Sequence, residues 1–453
     1  MRNLYKKKWI YLVLCIFFSA FFFNALNHLR NSSNSKTFYY TPITPEQFGA
    51  TGLGKEFDTK ALQKAINSGS HLILESGATY LIDKPLIINH SIKIETSKKN
   101  GKPAIILQKN KDSALIFKND PVKSTYVKQT ITPNQSYVVL ESTEGMKIGD
   151  LLHLKSDKLW YWDNRRYLTK GELHKITKIQ GNKVYLESPT NEYYKIKEEE
   201  KVTATTYPEQ NLELYNISFK HPKPQNTTML KINYASNARI EGISVINSKI
   251  TGIFLNKTFH TYVSNSYVEL GTTKEIPTGY GIQDYGGLGN VITTSTFKKV
   301  RRGVDFSGDT PSRYGTVSYS KSFGYKKGTL AAGNSGFGTH STAEHIVFEN
   351  NYIENFNHAF ITRGNHILIR NNILKGFSQG FVTTSYGDNV KIWDNVYESK
   401  NGSKLDYFAI IHKQYHGAFT VTENTINGLT GPLIKKNSKN IRYLHVNSNH
   451  TMP

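Results

Sequence analysis

EHIVFENN (344–351), NHILIRNN (365–372), NVKIWDN (389–395) and GAFTVTEN (417–424) are four versions of one pattern, a β-branched or aromatic strand that ends in Asn. Their strand centres, Phe348, Ile369, Ile392 and Val421, stand 21, 23 and 29 residues apart. Looser copies precede them in ARIEGISVIN, YVSNSYVEL and NVITTSTF. A period of about one strand-rich coil, with frequent Gly and Asn and no helical spacing, predicts a parallel β-solenoid in which each coil stacks on the last. The Asn column then reads as turn amides that hydrogen-bond from coil to coil.

Working outward, the chain before residue 121 carries short β-rich runs (HLILE, TYLI, PLIIN, SIKIE) and one helix. Asp58 or Thr59 is placed to cap it, and Ala61, Leu62, Ala65 and Ile66 fall on one face. Residues 122–208 change style. Longer alternating segments, IGDLLHLKS and GELHKITKIQGNKVYLES, read as an inserted small β module with a hairpin turn at Gly181-Asn182. The expected organisation is a membrane anchor or signal peptide over 1–29, a linker over 30–45, a cap and first coils over 46–121, the inserted module over 122–208 and the main β-helix over 209–453. The fold class is all-β.

Composition narrows the chemistry. The single cysteine of the 453 residues, Cys15, lies in the apolar run WIYLVLCIFFSAFFFNAL (9–26), so thiol nucleophiles, cysteine zinc sites and disulfides are excluded from the rest. That run follows Arg2, Lys6, Lys7 and Lys8 and reads as an export signal. Its length favours an uncleaved single-pass anchor through residues 9–26 with an extracellular C-terminal part; a secreted protein is the alternative. The net charge of +22 becomes +16 once residues 1–36 are set aside, which points to a polyanionic partner. No Arg-rich block or RNA-binding signature is present, so nucleic acid is not expected, and an acidic polysaccharide or cell-wall polymer is.

FGATGLGKEFDTKALQKAI (48–66) followed by LILESGATYLIDKPLII (72–88) resembles the opening of the pectate-lyase-like right-handed parallel β-helix superfamily. It departs from that pattern at Leu53, Lys55-Glu56-Phe57 and Glu75-Ser76, all cap positions. GYGIQDYGG (279–287), RRGVDFSGD (301–309) and GFGTHSTAEHIVFENN (336–351) are most similar to the branch containing phage tailspike and neck-appendage depolymerases. The resemblance implies carbohydrate action but not one reaction, since the superfamily holds lyases, hydrolases, epimerases and inactive binders.

Aligning coils on their strand centres brings Asp284, Asp305, His340, Arg363, Ser385 and His412 into one column. Catalytic roles are expected for Asp284, Asp305, His340 and Arg363, and substrate binding for Ser385 and His412. Stacked carboxylates would give a glycosidase acid and its charged partner. A lyase would instead use His340 as base, with Arg363 or a divalent cation such as Ca2+ on Asp284 and Asp305 neutralising a uronate carboxylate. An epimerase, a teichoic-acid phosphodiesterase and a non-catalytic glycan-binding solenoid remain alternatives on the same column. LWYWDNRRY (159–167) offers Trp160, Trp162, Arg165 and Arg166 as a glycan-stacking and anion-pairing loop.

Overall fold

The computed structural model describes residues 41–161, 163, 165, 167–196, 200–271, 278–324 and 333–452. Residues 1–40, with the apolar run and most of the linker, lie outside them, as do Trp162 and Arg166. Among the described residues no helix is long and apolar enough to cross a membrane. The single-pass anchor is therefore withdrawn, because the described residues supply no spanning helix.

The described chain is a parallel β-helix. Phe348, Ile369, Ile392 and Val421, the four centres of the sequence repeat, pair directly in parallel register. The same file of inward side chains runs back through Val317, Ile292, Val263, Ile240 and Leu214 to Ile94 and Leu72. Each coil has three walls; in one coil they are Tyr280–Tyr285, Val291–Thr293 and Thr296–Lys298. Among the described residues, the third wall forms a parallel sheet of 13 strands, and the first two merge into one of 22. One continuous apolar core fills the bore, from Leu62 and Ile66 of the helix Thr59–Ser68 to Ile426. Asp58 stands at that helix's N-cap position, but its carboxylate accepts from the backbone N–H groups of Thr51 (2.7 Å) and Gly52 (3.3 Å) rather than from the helix. It ties the FGATG turn to the cap.

The corner between the second and third walls explains why the strands end in Asn. Asn350, Asn371, Asp394 and Glu423 take left-handed backbone conformations, with φ between 51° and 60°. The next residue, Asn351, Asn372, Asn395 or Asn424, then turns inward. Each of these amides donates to the Oδ1 of the next, at 3.0 Å for three pairs and 2.8 Å for Asn424 to Asn449. The backbone N–H of each also donates to that same oxygen. Ser266, Ser295 and Ser320 occupy the column in earlier coils.

Between Ile94 and its partner Leu214 the chain leaves the solenoid. Strands Lys123–Tyr126, Tyr137–Val139, Leu151–Leu159, Thr169–Gln180, Lys183–Leu186 and Val202–Tyr207 form a six-stranded antiparallel sheet with its own core around Leu152, Leu154, Val184 and Ala204. Gly181, at φ 57°, opens the two-residue turn between Gln180 and Lys183, as a type II′ hairpin requires. This insert is clamped onto the solenoid. Arg313, 2 % exposed, donates to Glu344 (2.7 Å), to the Gly171 carbonyl (2.6 Å) and to Glu192. Trp160 Nε1 donates to the Ser341 carbonyl at 2.7 Å, and Lys155 pairs with Asp309 at 2.6 Å. Breaking such a buried ion cluster from one side leaves an uncompensated charge, so the insert holds a fixed pose.

Candidate functional site

The outer face of the first wall is the surface beneath the insert. Its inward positions are fully buried core: Ile282, Val304, Phe337, Phe360, Val382 and Ala409. Because strand side chains alternate, the residue after each of these points out, the next points in, and the one after that points out again.

This parity separates the two aspartates. Asp284 pairs with Leu255 and Phe306, both core, so its side chain enters the bore. There it accepts from the Gly287 N–H (3.0 Å), Ser312 Oγ (2.8 Å) and Asn290 Nδ2 (2.7 Å), and burial raises its pKa to about 6. Asp284 is a structural carboxyl that closes a turn. Asp305 pairs with Gln283 and Gly338 and faces outward. Sequence alignment set these two residues in one column from a spacing of 21; the true partner of Asp305 is Gln283, at 22, and one residue of slip reverses the face. The pair is no glycosidase dyad. Nor is it a cation cage, since Asp284 and Asp305 point to opposite sides of the wall and all four carboxylate oxygens accept from protein donors.

Asp305 is covered by its own partners. Its Oδ2 accepts from His340 Nδ1 at 2.8 Å, and Oδ1 pairs with Arg302, three residues back on the same strand. Burial alone would raise its pKa, but His340 and Arg302 outweigh it and keep the carboxylate ionised. Burial lowers the pKa of His340 against the pull of Asp305, so the imidazole is neutral near neutral pH. The carboxylate fixes the tautomer with the proton on Nδ1, which leaves Nε2 with a free lone pair. About a fifth of the His340 side chain is exposed (22 %).

His340, Arg363, Ser385 and His412 do share an outward column. They follow Thr339, Thr362, Thr384 and Ile411 on strands where Gly338 pairs with Ile361, Thr362 with Thr384 and Thr384 with Ile411, and a bulge sets Ser385 and Tyr386 opposite Arg363. Thr339 Oγ1 accepts from the Arg363 N–H at 2.9 Å and fastens the two coils there. Arg363 Nε has no protein acceptor among the described residues, and its guanidinium lies 5.9 Å from the Tyr386 ring centre. Burial and the nearby Arg302 and Arg165 lower its pKa, yet a guanidinium stays charged at any working pH. His412 Nε2 lies 2.9 Å from Thr383 Oγ1, and Ser385 sits half-buried between Arg363 and His412.

The aromatic loop divides differently from the expectation. Trp160 is 2 % exposed and packs beneath the loop, so it offers no stacking face. Arg165 is pinned by Asp163, whose Oδ2 also accepts from Ser341 Oγ at 2.9 Å, next to His340. The loop thus overhangs the column without contributing a free arginine among its described residues. Arg302, Tyr280 and Tyr285 were not singled out in the sequence. Tyr280 stands edge-on to His340, with ring centres 6.3 Å apart. The i,i+3 spacing of Arg302 and Asp305 was a visible signal for one of them.

No protein-family model and no curated protein sequence matches the chain. Solved structures do. The tailspike protein gp49 from Pseudomonas phage LKA1 is 15 % identical with a TM-score of 0.68, over 91 % of this chain and 81 % of that one. The gp54 tailspike of Acinetobacter baumannii bacteriophage AP22, solved in complex with A. baumannii capsular saccharide, is 16 % identical with a TM-score of 0.59, over 87 % and 67 %. The A-module of the Azotobacter vinelandii mannuronan C-5 epimerase AlgE6 is 11 % identical with a TM-score of 0.51, over 90 % and 99 %. At these identities the likeness shows the shared parallel β-helix fold.

Proposed function

We propose that the protein is an exported enzyme acting on an acidic polysaccharide, and that its reaction begins with removal of the proton α to a uronate carboxylate. The observation that carries this reading is a neutral His340, held by Asp305 through Nδ1, one coil from Arg363; among the described residues neither His340 Nε2 nor Arg363 Nε has a hydrogen-bond partner. Arg363 would bind the sugar carboxylate and stabilise the charge that develops when His340 Nε2 takes the C5 proton. In a lyase the electrons form the C4–C5 double bond, the C4–O bond breaks, and the leaving oxygen takes a proton from water or the imidazolium. Two-carboxylate hydrolysis is disfavoured because Asp284 faces the core and Asp305 is enclosed by Arg302 and His340.

Polymer action is in keeping with the tailspike neighbour bound to a capsular saccharide, and the basic and apolar start of the chain favours export. The epimerase neighbour favours a second reading at the same carbon, in which the carbanion is reprotonated from the opposite face. The test is incubation with polygalacturonate, alginate, hyaluronan and a teichoic-type polymer. Ultraviolet-absorbing unsaturated ends mark the lyase, and exchange of C5 hydrogen with D2O without chain shortening marks the epimerase. New saturated reducing ends, or no change in any polymer, would overturn the proposal.

A further inference from the structure

Two coils before His340 in the same outward column stands Tyr285, paired with Ser307. It forms the floor of a cleft of about 680 Å³ whose opposite side is the insert. Phe254 lies beside it on the preceding coil, with ring centres 5.5 Å apart, and the two rings extend along the solenoid axis. Lys155 and Tyr167 come from the insert, and Lys257 and Asp309 from the solenoid. Asp309 takes both ammonium groups, at 2.6 Å from Lys155 and 2.5 Å from Lys257, and the lysines hold its carboxylate fully ionised. Lys257 is itself 5 % exposed, and its Nζ lies 5.2 Å from the Tyr285 ring centre. None of these groups touches Asp305, His340 or Arg363. A well-packed interface between the two parts would close this cleft with apolar side chains; here aromatic faces and fixed charged donors and acceptors line it instead.

We infer that this cleft is a distal sugar subsite, walled by Tyr285, Phe254 and Tyr167, which binds pyranose residues of the polymer that is acted on at His340. The inference rests on the proposed function for the identity of the polymer. Aromatic faces meet the C–H faces of a pyranose ring, while the Lys155–Asp309–Lys257 cluster offers hydroxyl-directed hydrogen bonds. Tyr285 and His340 are two strand spacings apart, roughly 10 Å, so a short run of sugars would link the cleft to the reactive position. The insert thereby sets the minimum chain length of a good substrate.

The experiment compares the full chain with Phe254→Ala and Tyr167→Ala on size-defined oligosaccharides of polygalacturonate, alginate and hyaluronan. On the polymer that is turned over, both variants should raise KM at least tenfold for chains of six or more residues. KM for di- and trisaccharides and kcat for both lengths should stay within twofold. An equal effect on short and long chains, or no effect on either, overturns the subsite. Calorimetric binding to the His340→Ala protein separates the two ideas. If the wild type turns over none of these polymers but one binds with the same length-dependent loss, the catalytic reading falls and the subsite stands. If none binds, the subsite falls.

Discussion

Two polar columns run along the solenoid axis, and they differ in one respect. At the corner after the second wall, Asn351, Asn372, Asn395, Asn424 and Asn449 repeat one residue type, and each amide is satisfied by the next. On the outer face of the first wall, Ser307, His340, Arg363, Ser385 and His412 stack with no two successive coils carrying the same residue type. There, among the described residues, a ring nitrogen and a guanidinium nitrogen lack hydrogen-bond partners. In a solenoid every coil poses the same structural problem, so a recurring side chain is the signature of its solution. A position where the repeat lapses, and where polar capacity is left over, is where chemistry has room.

The largest break in this contrast should come from His340→Ala. Loss of a positioned base lowers kcat by about 10²- to 10⁴-fold, and the thermal midpoint falls as well, because Asp305 Oδ2 loses its His340 donor; kinetics per folded molecule beside a melting curve separate the two. The mirror experiment is Asn395→Ala. It strands the Asn372 N–H and removes one donor from the Ile369 and Trp393 carbonyls, while the Asn372 amide keeps the Phe348 and Arg370 carbonyls, so stability should fall by about 1–3 kcal/mol for the buried unsatisfied group. Activity per folded molecule should be kept. Denaturant unfolding that shows no loss would mean that the ladder is decorative.

A smaller effect sharpens the assignment of the base. The acid limb of kcat/KM should have its midpoint below the ordinary histidine value of 6.5, because burial lowers the His340 pKa. Asp305→Asn removes the carboxylate that pulls this pKa upward, so the midpoint should move further down as the rate falls. A midpoint that rises would contradict the Asp305–His340 pair. The stability term has the same sense: a histidine with a depressed folded pKa stabilises above its unfolded pKa, and this is lost as pH falls through the folded value. The smallest expected effect is a gain. Thr294 precedes Ser295 in the corner column and holds φ at 48°, an unfavourable angle for a β-branched residue. Thr294→Asn should stabilise by up to about 1 kcal/mol and leave kinetics untouched.

What the sequence disclosed follows the same division. The repeating column was legible because Phe348, Ile369, Ile392 and Val421 mark each coil with a similar residue, and the structure pairs these four. The non-repeating column was legible only where spacing could be carried over from that wall. A spacing of 23 set Arg363 beside His340 correctly, but a spacing of 21 placed Asp284 one residue out of step and hence on the wrong face. Arg313, Asp309 and Phe254 were invisible, because their roles depend on an insert that returns to the solenoid across more than a hundred residues of chain. Trp160 was read as a stacking platform, and its burial and its bond to the Ser341 carbonyl make it a packing residue instead.

The asparagine ladder has a direction. In every pair the Nδ2 donor belongs to the earlier coil and the Oδ1 acceptor to the later one, and the backbone N–H that shares the oxygen fixes that orientation. The amide dipoles therefore lie head to tail along the axis, each polarising the next. Antiparallel sheets cancel such vectors between neighbours, whereas this stack sums them. The bore of the solenoid thus carries a one-way electrical polarity, and a single missing amide would divide it into two shorter and weaker chains.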